Sequence, residues 1–271
     1  MNKNDPRLIV ILEAVNSTAE TAWNELENRD RCTFTSESDG RAVEIPSREA
    51  TPAPGQSGSQ IQLTFDKKPK NLEKGFVFGS DPKTCDVLLG AWAAGFTRQH
   101  FRITFNARGD VILTDISREL TRVSYDGEDL PTRNDFTWIL FYDYENITVT
   151  LNEGEMKIIL EFKVEWPENR KSCKLEYQAH RDAYLEECWK ATPSLSRLGI
   201  ESKESVVSPI YLKKEELGRG SFGTVHKVVN VSTGNEYAGK TFHGGNWKDE
   251  VKILETISHV SVAQYIAKWT E

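Results

Sequence analysis

At 271 residues, 38 % of them apolar, the chain is long enough to bury one or two cores with linkers between them. A net charge of −7 argues against a general nucleic-acid or anionic-membrane surface. The longest early apolar run, Leu8–Leu12, ends at Glu13 and is too short for a signal-peptide core or a membrane span. Cys32, Cys85, Cys173 and Cys188 stand far apart with no C-x-x-C spacing, and the histidines are equally scattered. That pattern suits reduced thiols in an intracellular protein, cytoplasmic or nuclear, and indicates no metal site.

In chain order, Pro6–Leu12 reads as a short strand. Ser17–Glu20 has the S-x-x-E form of a capping box, and Ala19, Ala22, Trp23 and Leu26 share one face, so a helix is expected to run to Glu27. These make an N-terminal strand-and-helix segment, 1–30. Residues 31–59 are expected to be a flexible linker, because Asp39–Ser59 collects Pro46, Pro52, Pro54, Gly55 and Gly58 among serines and threonines.

From Gln60 the texture becomes short alternating runs between turn residues: Ile61–Phe65, Gly75–Gly79, Cys85–Leu89, His100–Phe105, Val111–Asp115, Thr121–Tyr125, Thr137–Phe141, Ile147–Leu151 and Met156–Phe162. Roughly nine strands at about ten-residue spacing predict a β-sandwich over 60–164. Lys67–Lys70, Lys-Lys-Pro-Lys, falls between two of these strands and reads as a solvated turn rather than a nuclear signal. The loops carry more specific features: Phe78-Gly-Ser-Asp-Pro-Lys-Thr-Cys85, then Phe96-Thr-Arg-Gln-His100, then Leu113-Thr-Asp-Ile-Ser-Arg-Glu-Leu-Thr121. In that order and spacing they resemble the forkhead-associated (FHA) domain, a sandwich that reads phosphothreonine. The resemblance implies phosphopeptide contacts from Ser80, Thr97 and Ser117, with Arg98 and Arg118 as neighbouring cations, and His100 as an internal brace. It departs from the family where an arginine is expected at Ser80 and an asparagine at Glu119, which removes the strongest phosphate donor and adds a repelling charge.

Residues 165–208 return to polar linker with one amphipathic piece, Ser172–Trp189, whose Tyr177, Tyr184 and Cys188 fall on one helical side. It is expected to lie on the sandwich or on the segment that follows.

That segment, 209–271, opens on Leu217-Gly-Arg-Gly-Ser-Phe-Gly-Thr-Val225 and reaches Glu-Tyr-Ala-Gly-Lys240. Gly218, Gly220 and Gly223 let a β-hairpin lie close over phosphates, and the β-rich run Val225–Val231 and the Ser232–Asn235 turn predict strand, turn, strand. A dinucleotide-binding G-x-G-x-x-G would need a helix at that place. The whole order resembles the glycine-rich loop and third-strand lysine of protein kinases. The resemblance implies ATP held by Leu217, Gly218, Gly220, Ser221, Phe222, Gly223, Val225, Ala238 and Lys240, with Lys240 oriented by Glu250 on a helix over Asn246–Ser258. The Lys240–Glu250 spacing is shorter than is usual in that family.

The expected fold class is therefore mainly β with some α: an FHA-type sandwich plus a partial kinase N-terminal lobe, a β-sheet with its αC helix. Neither His-Arg-Asp nor Asp-Phe-Gly follows Lys240, the tripeptide His180–Asp182 lying ahead of the glycine-rich stretch, so no catalytic residue is assigned, and magnesium is expected only with a catalytic half that is missing. The implied function is that of a serine/threonine protein kinase acting on protein substrates and drawn to phosphothreonine-bearing partners, catalytically incomplete as it stands. The alternative is a non-catalytic FHA interaction protein, a truncated product or a fragment. Neither reading calls for nucleic acid or membrane.

Overall fold

The computed structural model describes residues 3–35, 57–90, 95–151, 159–191, 208–244 and 247–256. The chain divides into two compact units, Met1–Glu201 and Ser202–Glu271. The fold is mainly β with some α, as expected from the sequence.

In the first unit, β1 (Leu8–Ala14), β2 (Cys32–Thr35) and β3 (Ser57–Thr64) join β8 (Thr121–Tyr125), β9 (Glu128–Asp129), β11 (Ile147–Leu151) and β12 (Leu160–Glu165) in a seven-stranded sheet ordered β2-β3-β1-β12-β11-β8-β9. The second sheet holds β4 (Phe76–Gly79), β5 (Val87–Leu88), β6 (Phe101–Phe105), β7 (Val111–Asp115) and β10 (Thr137–Ile139), ordered β10-β7-β6-β4-β5. Alternation fixes which side chains face inward: Val111, Leu113 and Asp115 are buried on β7, and Leu160, Phe162 and Val164 on β12. The sheets meet through Phe101 and Phe162, whose ring centres are 5.8 Å apart.

The N-terminal strand does not stand apart from the sandwich. It pairs antiparallel with both β3 and β12, and Leu8–Leu12 are buried throughout, as a near-continuous apolar strand inside a sheet requires. The expected linker also gives way at both ends: Cys32–Thr35 pairs with Ser57–Ile61, while 36–56 lie outside the described residues. Helix α1 (Ser17–Trp23) is shorter than expected, and its cap is Asn16 rather than Ser17. Asn16 Oδ1 accepts from Ala19 N at 3.0 Å while its Nδ2 donates to the Ile159 carbonyl at 3.1 Å, so one side chain caps the helix and ties it to the sheet. Its buried Ala19, Ala22 and Trp23 pack α1 against β1, β3 and β12.

After α2 (Asn169–Ser172), α3 (Lys174–Ala191) lies on the sandwich. Tyr177 and Tyr184 reach Phe65 at 5.5 and 5.8 Å, and Tyr184 also meets Phe76 and Phe105. Arg170, in α2, sits over the rings of Trp166, Tyr142 and Tyr177. No helix among the described residues is long and apolar enough to cross a membrane, and no disulfide joins the four cysteines.

Neighbouring β1 and β12 bring two carboxyls together. Burial, then the hydrogen bond and charge of Glu165, push Glu13 up to about 7 from its ordinary 4.5. Burial alone would raise Glu165 too, but the hydrogen bond with Glu13 and the Lys3 ammonium at 3.2 Å hold it down. The folded protein thus keeps a proton that the unfolded chain has released, and this contribution to stability is lost as pH rises from 4.5 through about 7. Glu13→Gln is expected to gain about 1 kcal/mol over wild type at pH 8, after discounting for solvent screening, and to show no gain at pH 4. Urea unfolding at the two pH values checks this; an equal effect at both would remove the shared proton from the account.

Candidate functional site

The second unit is a three-stranded antiparallel sheet, β13 (Tyr211–Gly220), β14 (Gly223–Asn230) and β15 (Glu236–Phe242), with α4 (Trp247–Thr256). β13 and β14 form the glycine-rich hairpin, closing at Gly220–Gly223 with Ser221 and Phe222 as its two-residue turn. The next hairpin turns at Gly234, where φ is +68° and Asn230 Oδ1 accepts from Ser232 N and Thr233 N.

Register decides what the glycines do. Gly218 pairs with Val225 and Val225 with Lys240, so these three form one row across the sheet; Gly220, Gly223 and Phe242 form the next row on the same face. None of the three glycines has a positive φ, so their role is spatial. A Cβ on Gly218 or Gly220 would meet nothing within 4 Å, whereas one on Gly223 would lie 2.4 Å from the Thr241 carbonyl oxygen. Gly223 therefore seats β14 against β15, and Gly218 and Gly220 keep an open shelf. The resulting face carries few side chains near the turn apart from Val225, Lys240 and Phe242, with Ala238 one step along β15. Leu217 and Phe222 are exposed at its edge.

Helix α4 supplies the counter-charge on this face. Lys240 Nζ lies 2.6 and 2.7 Å from the two carboxylate oxygens of Glu250 and 4.7 Å from the centre of the Phe242 ring. Both charged side chains remain about a third exposed. The short spacing thus suffices to bring the pair together. On the opposite face, Thr224 Oγ1 and His243 Nε2 lie 3.0 Å apart, and His243 N donates to the Phe222 carbonyl, bracing the turn. Sequence reasoning missed that brace; His243 carries no motif, and only the strand register makes it a neighbour of Thr224 in the glycine-rich stretch. No residue of α4 is fully buried, and residues 257–271 lie outside the described residues.

The sandwich loops converge at one edge of the five-stranded sheet. Ser80 N donates to the Thr97 carbonyl, and Ile116 N to that of His100. Buried His100 presents Nδ1 to Thr97 N at 3.4 Å. The hydroxyls, however, are turned inward: Ser80 Oγ donates toward Phe96 and Thr97 carbonyls, Thr97 Oγ1 to Gln99 O at 2.9 Å, and Ser117 Oγ to Glu119 O at 3.2 Å. Arg98 and Arg118 are exposed beside them. Asp115, read from the sequence as a strand end but not as a site residue, organises the third loop by accepting from Ser117 N at 2.7 Å and from the Thr121 hydroxyl. Burial raises its pKa despite those bonds. Its sequence signal is an inward position on an alternating strand occupied by a charge. Among the described residues no cluster of three or more His, Cys, Asp or Glu side chains is placed to hold a metal ion.

No protein-family model matches the chain. It is 22 % identical over 219 residues to serine/threonine-protein kinase RAD53 of Saccharomyces cerevisiae, covering 73 % of this chain and 25 % of that one. It is 40 % identical over 63 residues to serine/threonine-protein kinase KIC1 of the same yeast, and 34 % over 74 residues to smooth-muscle myosin light chain kinase of Gallus gallus. These alignments cover 23 % and 25 % of this chain but only 6 % and 4 % of the two relatives. The chain spans about a quarter or less of the length of these curated relatives, and over part of its own length it is similar to serine/threonine protein kinases.

Proposed function

We propose that this protein is an FHA module joined to the nucleotide-binding part of a serine/threonine protein kinase. The observation that carries the reading is the two-point ion pair of Lys240 with Glu250, set in the same row as Val225 and Gly218. In this reading the open shelf over Gly218 and Gly220 admits phosphates, Val225, Ala238 and Leu217 cover the purine, Ser221 and Phe222 close over the phosphates at the turn, and Lys240, steadied by Glu250, holds phosphate oxygens. ATP supplies the phosphoryl group when bound. Transfer to a protein hydroxyl further requires a base and magnesium-holding residues, and their family motifs do not follow Lys240 in this sequence. The test is titration of a fluorescent ATP analogue against the protein with competition by unlabelled ATP: saturable, competed binding is expected, and binding that ATP fails to displace would refute the reading.

The phosphothreonine function of the sandwich rests on a different observation. The serine and threonine hydroxyls of the loops are engaged with backbone carbonyls, which leaves Arg98 and Arg118 as the exposed donors nearest them. Phosphate readout in this protein therefore runs through those two guanidiniums, with a penalty from Glu119. A phosphothreonine peptide library is expected to bind the protein selectively over unphosphorylated copies, and Arg98→Ala or Arg118→Ala to weaken that binding by about tenfold. Equal binding of both libraries would leave the sandwich as an interaction module without phosphate readout, acting as a non-catalytic adaptor.

A further inference from the structure

A cleft of about 580 Å³ opens on the first unit beside the 3-10 turn Leu26–Asn28, and neither Arg98 nor Arg118 lines it. Its walls gather Arg31 with Lys67, Lys68 and Lys70. The lysine run that reads in sequence as a solvated turn is thus folded beside an arginine from a distant stretch of chain. Among the described residues, Lys68 alone of these cations has a carboxylate partner, Glu187 on α3. Lys67 gives its ammonium to the Asp30 carbonyl, and Lys70 to those of Pro82 and Cys85. A carbonyl satisfies the hydrogen bond and leaves the charge uncompensated.

Arg31 is the most desolvated of these cations. Its guanidinium lies 5.1 Å from the centre of the Phe76 ring, Nη2 donates to the Lys68 carbonyl at 3.1 Å, and buried Nη1 finds no acceptor among the described residues. Burial pushes its pKa down, with acidic neighbours only partly opposing. A desolvated charge without a partner is unfavourable until a counter-ion is supplied. The lining carboxylates supply it only in part. Asp86 accepts from Lys70 N at 2.7 Å and Val77 N at 2.8 Å, and exposed Glu27 and Asp30 form no ion pair with the cleft's cations among the described residues.

We infer that this cleft binds a phosphate group, with Arg31 and Lys70 as its principal cations and Lys67 beside them. A doubly charged tetrahedral oxyanion matches Arg31, Lys67 and Lys70, cationic donors that line one cleft and form no ion pair among the described residues, and the cleft is large enough for the group that carries it. The carrier is either a free phosphate compound or a phosphorylated side chain. Its cations are other than Lys240 of the nucleotide shelf and other than Arg98 and Arg118, although lining residue Cys85 donates its Sγ–H to the Arg98 carbonyl at 2.9 Å.

The test is a backbone amide chemical-shift titration of the full chain with inorganic phosphate and, separately, with a phosphoserine peptide. Saturable shifts centred on Arg31, Lys68, Lys70 and Asp86 are expected. Lys70→Gln should raise the dissociation constant at least about tenfold, while Lys171→Gln, an equal charge change elsewhere on the surface, should leave it within about twofold. Arg31→Gln should act like Lys70→Gln; because it alters a buried side chain, the exposed Lys70 carries the test if that variant does not fold. Tighter binding of the inorganic ion supports a free phosphate compound, and tighter binding of the peptide a phosphorylated protein. Shifts centred on Thr97–Arg118, shifts unchanged by Lys70→Gln, or an absence of saturation would overturn the proposal.

Discussion

Phe162→Ala is expected to lower the stability of the first unit by about 3–5 kcal/mol, the range for a fully buried aromatic replaced by alanine. Phe162 is fully buried on β12 and touches two other elements at once. Its ring centre lies 5.8 Å from Phe101 in the opposite sheet and 5.7 Å from Trp23 of α1. Phe101 in turn stacks on Phe78 at 4.3 Å. Removing the ring therefore opens a void where both sheets and the helix meet. Urea unfolding followed by near-ultraviolet dichroism would measure the loss. A change below about 1 kcal/mol would mean that the sheets do not depend on this contact.

The same residue marks what was legible in the sequence. Val111–Asp115, Thr121–Tyr125 and Ile147–Leu151 are strands with the bounds that alternation assigns them, because period-two burial is a local property. The place of Leu8–Ala14 was not legible. A strand that pairs with residues 60–64 and 162–165 announces itself by apolarity alone, and nothing near it in sequence names its partners. The cap of α1 was misassigned by one residue because Ser17 fits the capping pattern; Asn16 wins by bonding the Ile159 carbonyl as well, a tertiary contact. Glu128–Asp129, a two-residue edge strand without apolar residues, leaves no pattern to read.

For the candidate sites, local motifs anticipated the hairpin and the Lys240–Glu250 pair of the second unit but not the loop hydrogen bonds of the first. The glycine spacing and Lys240 were readable because a hairpin's register follows from its own turns. What the motif concealed is that its glycines differ: Gly223 is pressed against the Thr241 carbonyl while Gly218 and Gly220 face open space. In the sandwich loops, spacing located Ser80, Thr97 and Ser117 but could not reveal that each hydroxyl bonds a backbone carbonyl. The cationic cleft was invisible for the same reason as β1, since Arg31 and Lys70 are brought together only by pairing of distant strands.

Lys240→Met is expected to weaken binding of an ATP analogue at least about tenfold, the equivalent of one charge-assisted contact with phosphate. The substitution keeps an unbranched side chain of similar length beside Phe242 and removes only the ammonium. Its structural cost should stay below about 1 kcal/mol, because Lys240 and Glu250 are both about a third exposed and water can rehydrate the remaining carboxylate. Glu250→Gln separates charge from orientation. Lys240 keeps its positive charge but loses the two-point grip at 2.6 and 2.7 Å, so affinity should fall less than in Lys240→Met. That ordering, with unchanged unfolding, assigns the nucleotide to the face shared by Gly218, Val225 and Lys240. If both variants bind as wild type does, the nucleotide is held elsewhere; if both lose binding together with β-sheet signal, the ion pair is needed to fold the second unit.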